Sequence, residues 1–312
     1  MADGSESGSD ERWSSLFVQQ RGEGLPLLML NGLGAHHRMW SPFVDDLRGP
    51  SVVFDWPGMG RSPARARPRS MGAFVDIAAA VARRLGHDRI DVLGYSFGGA
   101  VAVHLAAARP DLVRRVVLVA PTLGWGAVVG GPMALASLAT PLRYYSRSYL
   151  NFTSMFTSAG RSEHDPEFLE RSAAVRRLYR PDIGAYFGQV LALNTSSVVP
   201  HLAQVRQPTL IVHGTGDPVV PAANGYLLAH QIPTARLLPV ADAGHLLLQY
   251  RTSGLAVEVG GFLSADDHAQ SRAWQEAMTV TAHQMLAAVA QGDLFAAQPM
   301  GVLNTMARCA AS

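Results

Sequence analysis

Apolar residues fall along this chain in short runs, separated by longer stretches in which they recur every three or four positions. From residue 25 onward, Leu27–Leu30, Ser51–Phe54, Ile90–Leu93, Val116–Val119, Thr209–Val212 and Arg236–Pro239 read as strands. They are dense in Val, Leu and Ile with little polar alternation, as expected of strands buried on both faces of a parallel sheet. Helical periods lie between them. Met71 to Leu85 puts Phe74, Val75, Ala78, Val81, Ala82 and Leu85 on one face and stops at Gly86, and Val101 to Ala108 is Ala-rich and ends before Pro110. This alternation predicts an α/β fold with a mostly parallel, doubly wound sheet and helices on both faces.

The rhythm breaks between Pro121 and Gln207, where no strand-like run occurs and helical patterns such as Glu167 to Tyr179 carry several Tyr and Phe. A strand ends just before this stretch and another begins just after it. Residues 122–206 therefore read as a helical cap inserted over the carboxyl ends of the strands, where ligands bind in folds of this kind. The core is assigned to 14–121 and 207–265. Residues 1–13 are rich in Gly, Ser and acids and read as a disordered leader, with neither the basic nor the apolar segment of a signal peptide. Residues 266–312 form a C-terminal helical extension. Within it, Trp274, Met278, Ala282, Met285 and Val289 make an apolar stripe on one helix over 268–291. The stripe is expected to pack on the body, with a granule surface or a homo-dimer contact as the alternative covers.

Composition narrows the chemistry. The 312 residues are 48% hydrophobic and 16% charged, enough for a large core, and the formal charge of +2 is too small for nucleic-acid binding. All the basic residues of the Lys/Arg type are Arg, which excludes a Schiff-base or phosphate-loop lysine. The one cysteine, Cys309, lies in the last few residues and is a poor nucleophile candidate, and no His, Asp or Glu spacing suggests a metal site or another cofactor. No apolar run is long enough for a transmembrane segment, so a cytoplasmic protein is expected.

Gly94-Tyr95-Ser96-Phe97-Gly98 fits G-x-S-x-G and lies between the strand ending at Leu93 and the helix beginning near Ala100. A nucleophile elbow needs this context, because the turn is too tight for side chains two residues either side of the serine. His213-Gly214-Thr215-Gly216-Asp217-Pro218 and Asp242-Ala243-Gly244-His245 follow the next two strands. The order Ser96, Asp217, His245 is that of an α/β-hydrolase triad, with His245 as general base and Asp217 as its orienting acid. Asp242, three residues from His245, is assigned to shaping the turn, and His213 to a buried structural role. Asn31-Gly32-Leu33-Gly34 follows the first buried strand, where such a fold takes one oxyanion donor; the donors are then the Leu33 and Phe97 N–H groups. His36 and His37 are candidates for the pocket wall. The loop from Asp55 to Ser62 reads as structural, and Arg61, Arg65, Arg67 and Arg69 as a solvated basic loop.

From Leu25 to about Leu263 the chain resembles the α/β-hydrolase superfamily, and within it the intracellular depolymerases of medium-chain-length poly(3-hydroxyalkanoate). The similar stretches are Asn31–Gly34, Gly94–Gly99, Gln207–Leu210, Asp217–Pro221 and Gly244–Leu246. In the cap they are Pro141-Leu142-Arg143-Tyr144-Tyr145 and Asp165–Leu169. The family usually has Trp after the nucleophile, where this chain has Phe97, and it ends soon after its last core helix. The resemblance implies a serine ester hydrolase, without cofactor, acting on a hydrophobic ester or polyester. Tyr144 and Tyr145 are expected to line the acyl pocket. Alternatives on the same scaffold are a small-molecule esterase or lipase, an acyltransferase with the same triad, or a granule- or partner-binding protein.

Overall fold

The computed structural model describes residues 13–64, 67–158, 165–250 and 254–297. Seven strands form one sheet: β1 (Val18–Arg21), β2 (Leu27–Leu30), β3 (Ser51–Phe54), β4 (Ile90–Tyr95), β5 (Val113–Val119), β6 (Thr209–Gly214) and β7 (Ala235–Val240). Their order is β1-β3-β2-β4-β5-β6-β7, with β1 antiparallel to β3 and every other pairing parallel. The six strands anticipated from the apolar runs are all present. β1 was not anticipated, because Val-Gln-Gln-Arg holds a single apolar residue and lies half-exposed at the sheet edge.

The sheet's two faces bury separate cores. Leu28, Leu30, Phe54, Val92, Leu118 and Ile211 point one way, and Leu27, Met29, Val53, Leu93, Val119 and Val212 the other. Helices α1 (Ser41–Asp46), α2 (Met71–Arg84) and α3 (Phe97–Ala108) follow β2, β3 and β4. After β2 the chain moves to β3 on one side, then returns to β4 on the other. The carboxyl ends of β2 and β4 therefore lead into diverging loops, and this reversal of strand order is where an open α/β sheet forms its ligand crevice.

Residues between β5 and β6 form the cap: α4 (Pro132–Leu138), α5 (Leu142–Tyr145), α6 (Arg147–Thr157), α7 (Pro166–Arg176) and α8 (Ile183–Asn194). Three of them open on side-chain caps, Ser146 for α6, Asp165 for α7 and Asp182 for α8. Beyond the cap come α9 (Ala223–Gln231) and α10 (Leu255–Ser264).

The C-terminal extension departs from the single helix expected over 268–291. It breaks into α11 (Arg272–Glu276) and α12 (Ala282–Ala297), with an extended link between them. The Ser271 side chain caps α11. Thr281 and Gln284 form a reciprocal capping pair at α12, which restarts the helix. In the link, Met278 exchanges both backbone hydrogen bonds with Leu237, at 2.8 and 2.9 Å, so it pairs with the otherwise open edge of β7. The stripe is split accordingly. Trp274 stacks on Phe262 at 5.5 Å, Met278 and Met285 pack against the core, and Ala282 is exposed. Trp13, assigned to the leader, is buried in the core; the rest of that leader, Arg65 and Cys309 lie outside the described residues.

Candidate active site

Ser96 sits between β4 and α3 with φ 54° and ψ −115°, a left-handed conformation that is strained for any residue with a Cβ. The surroundings enforce it. A Cβ on Gly94 would overlap the Gly98 carbonyl, and one on Gly98 would overlap the Leu30 carbonyl, so only glycine permits this close approach of β2, β4 and α3. The Ser96 N–H is held by the Val119 carbonyl at 3.0 Å.

The Ser96 hydroxyl donates to His245 Nε2 at 3.1 Å, and His245 Nδ1 donates to Asp217 Oδ2 at 2.7 Å. Asp217 Oδ1 accepts from the backbone N–H groups of Val219 and Val220, at 2.8 and 2.9 Å. Burial opposes the Asp217 charge, but the His245 and His213 rings beside it outweigh that and hold its carboxyl well below the usual range. An acceptor-only carboxylate leaves His245 with its proton on Nδ1 and its free lone pair toward Ser96. Tyr95, on β4, donates to the His245 carbonyl at 2.9 Å and so fixes the histidine loop from below.

The loop after β2 runs beside the elbow, since Leu30 pairs with Gly94 in the sheet register. The Leu33 N–H has no acceptor among the described residues. Phe97 opens α3, so its N–H has none within the helix. Both residues line one cavity of about 130 Å³ together with Ser96 and His245. Met39, Leu135, Leu138, Leu193 and Val220 make much of its remaining wall, so the cavity is mainly apolar and roofed by the cap.

A family model of the α/β hydrolase fold matches residues 26–251. The chain belongs to the α/β-hydrolase family. Among its relatives, a poly(3-hydroxyalkanoate) depolymerase of Ectopseudomonas oleovorans is 32% identical over 77% of this chain and 85% of its own. A pimeloyl-[acyl-carrier protein] methyl ester esterase of Nitrosomonas europaea is 28% identical over 74% of this chain and 93% of its own. A solved thermophilic esterase of Thermogutta terrifontis is similar in fold, with TM-score 0.67 at 22% identity, over 80% of this chain and 92% of that one.

The hydrolase uses its two adjacent tyrosines differently. Tyr144 is buried and lines the cavity, but its hydroxyl donates to the Leu33 carbonyl at 2.8 Å. Tyr145 does not line the cavity: it is 37% exposed and donates to the Pro181 carbonyl. Successive residues of α5 point about 100° apart, so the pair cannot face one pocket together. His36 and His37 are not in the cavity wall either. His36 Nε2 donates to the Val175 carbonyl at 3.1 Å, and His37 pairs with the fully buried Asp55 at 2.7 Å. Asp55 also accepts from the Arg61 N–H at 2.9 Å, which gives the Asp55–Ser62 loop its structural anchor. Arg61 lies over the Phe17 ring and Arg67 pairs with Asp182, so these two are partnered rather than merely solvated. Asp242 has φ 53° and sits at the turn before His245, and His213 is buried with Nε2 against the Val220 carbonyl at 2.8 Å.

The sequence reading missed the residues by which the cap grips the loop after β2. Gln189 on α8 accepts from the Gly34 N–H at 2.8 Å, and Arg143 donates to the Leu33 carbonyl at 3.1 Å. Arg176, at the end of α7, joins Arg143 in the cavity wall. Arginines within an aromatic, apolar stretch were the available signal.

Proposed function

We propose that this hydrolase cleaves hydrophobic carboxylic esters through an acyl-enzyme on Ser96. The unbroken hydrogen-bond chain Ser96–His245–Asp217, opening into a mainly apolar cavity, carries the reading. His245 Nε2 takes the Ser96 proton as Oγ attacks the ester carbonyl carbon. The carbonyl oxygen becomes an oxyanion held by the N–H groups of Leu33 and Phe97, each such donor being worth about 2.7–4 kcal/mol in the transition state. The intermediate collapses as His245 returns the proton to the departing alkoxide, and an alcohol leaves. Water then attacks the acyl carbon, again giving a proton to His245, and the carboxylic acid departs as Ser96 regains its hydrogen. Asp217 keeps the imidazole in the one productive tautomer and stabilises the imidazolium in both halves.

The substrate we favour is a medium-chain poly(3-hydroxyalkanoate) or its oligomers, acted on in the cytoplasm. Similarity to the Ectopseudomonas depolymerase supports it. So does the cap's outer surface, where Trp125, Met133, Leu142, Phe152, Met155 and Phe187 are all exposed. Exposed apolar side chains gathered on one insertion suit contact with a polyester surface. A cavity near 130 Å³ is about the size that accepts a benzene-sized group, which fits one short side chain or acyl end at a time.

The test is a panel of p-nitrophenyl esters from acetate to dodecanoate beside a suspension of medium-chain polyester, with wild type and Ser96→Ala. The wild type is expected to turn over medium-chain esters and release soluble acid from the suspension. Ser96→Ala should lose on the order of 10⁶ in kcat. A folded Ser96→Ala protein with a hundredth of wild-type activity would remove Ser96 as nucleophile, and activity on small esters alone would return the chain to the general esterases.

A further inference from the structure

Two arginines in the cavity wall have no carboxylate partner among the described residues. Arg143 and Arg176 are each more than nine-tenths buried, at 8% and 9% exposure. The Nε of each is sealed from solvent and has no hydrogen-bond acceptor. Arg143 spends one terminal nitrogen on the Leu33 carbonyl. Arg176 has no hydrogen-bond acceptor for any guanidinium nitrogen among the described residues; its Cζ lies 6.0 Å from the centroid of the Tyr144 ring. Among the described residues, the carboxylate nearest the triad, Asp217, is already engaged by His245 and two backbone N–H groups.

Such an arrangement is costly. Burying one unpaired cation costs several kcal/mol, and two close together add mutual repulsion. Burial and the nearby Arg143 charge pull the Arg176 guanidinium below its ordinary value. The site is nonetheless built rather than incidental. The Val175 carbonyl, next to Arg176, is tied by His36 to the loop after β2, and both guanidinium groups lie against the Tyr144 ring, Arg143 at 5.1 Å and Arg176 at 6.0 Å. Planar guanidinium donors match a carboxylate, and an anion entering this apolar cavity would neutralise the charge that the described residues leave unpaired.

We propose that Arg176, with Arg143, binds a free carboxylate on the substrate, so that the preferred esters are acids cut near their carboxyl end. For a polyester this means shortening from the carboxyl terminus, or cleavage of soluble hydroxyacid oligomers. The kinetic part rests on the ester-hydrolase reading; the binding part does not.

The kinetic test pairs each acid with its neutral methyl ester. In one arm the carboxylate is on the departing alcohol, as in the free-acid dimer of 3-hydroxyoctanoate; in the other it is on the acyl side, as in monomethyl suberate. In at least one arm the wild type should favour the acid in kcat/KM by about ten- to a hundred-fold, the range of a hydrogen-bonded charge pair. Arg176→Met should bring that ratio close to one, and Arg176→Lys should keep part of it. The binding test needs no turnover: 3-hydroxyoctanoate should raise the Tm of Ser96→Ala and not that of Ser96→Ala/Arg176→Met, whereas its methyl ester should not discriminate. Ratios near one in both wild-type arms, an equal loss on acid and methyl ester in Arg176→Met, or no acid-specific rise in Tm would each overturn the proposal. A chain that hydrolyses no ester yet shows the acid-specific rise would defeat the ester-hydrolase reading and leave the carboxylate site standing.

Discussion

Tyr144 donates its phenolic hydrogen to the Leu33 carbonyl at 2.8 Å, and through that bond the cap holds the loop that carries the proposed oxyanion donor, the Leu33 N–H. The same loop is gripped by Gln189 at Gly34. A Cβ at Gly34 would lie 2.8 Å from both Tyr144 and Tyr186, so cap and loop are fitted together with no room to spare.

Tyr144→Phe is therefore expected to lower kcat by a few-fold to about ten-fold, the value of one net hydrogen bond, with less change in KM. Tyr145→Ala, on the outer side of α5, should leave both within about two-fold. Steady-state kinetics on octanoyl and acetyl esters decide it. A rise in KM confined to long chains, with kcat unchanged, would make Tyr144 an acyl-pocket wall instead of a brace.

Asp217→Asn should reduce kcat by on the order of 10⁴, because an amide in its place stabilises the wrong tautomer of His245. Asp242→Asn should cost far less: the His245 Nδ1 hydrogen bond goes to Asp217, and asparagine tolerates the left-handed backbone of Asp242 at φ 53°. Single-turnover kinetics of the two variants would separate them. Equal losses would reopen the choice of acid.

Much of this was legible in the sequence for steric reasons. Gly94 and Gly98 must be glycine because backbone and side chains pass within contact of both, so the elbow is written into the residues themselves. The buried strands showed as unbroken apolar runs for a similar reason. β1 did not, since an edge strand needs no unbroken apolar run, and here only Val18 is even partly buried against the core. Nor did the Arg143–Arg176 pair. Those residues lie more than thirty positions apart on separate cap helices, and no local period brings them together. The stripe from Trp274 to Val289 misled because a short helix, an extended link and a second helix can reproduce a three- and four-residue spacing by accident.

His36 offers a pH test. Its ring is fully buried, and desolvation, the largest influence, lowers its pKa from 6.5 to about 4. A histidine whose folded value lies below its unfolded one takes up a proton on unfolding. Folding stability should therefore fall as pH drops from about 6.5 towards 4, by up to about 3 kcal/mol from this group. His36→Gln, which can still donate to the Val175 carbonyl, should be less stable at pH 7 but lose less between pH 7 and 5. Urea midpoints at the two pH values measure this. An unchanged pH slope in the variant would assign the acid sensitivity to other groups.

The extension gives the last prediction, and its geometry separates the ways it could act. Trp274 is 8% exposed, stacked on Phe262 and under the Arg236 guanidinium, and the Arg236 side chain also donates to the Trp274 carbonyl at 2.9 Å. Met278 pairs with Leu237 at the edge of β7, and α12 packs along α9. Trp274→Ala should thus cost about 3–5 kcal/mol, as for other large buried aromatics, while the folded fraction keeps its kcat, since no described residue of the extension lines the cavity. Truncation after Leu263 should go further. It would remove the Leu237–Met278 pair and the helix packed along α9, leaving the Leu237 N–H and C=O unpaired at an edge of the kind that recruits other chains, so the truncated protein should melt earlier and associate at concentrations where the full chain does not. Thermal melts and light scattering of the three proteins would show it. A truncated protein that keeps its melting temperature but loses activity on suspended polyester alone would mean the extension serves a surface, and the packing seen at Trp274 and Met278 contributes little to folding.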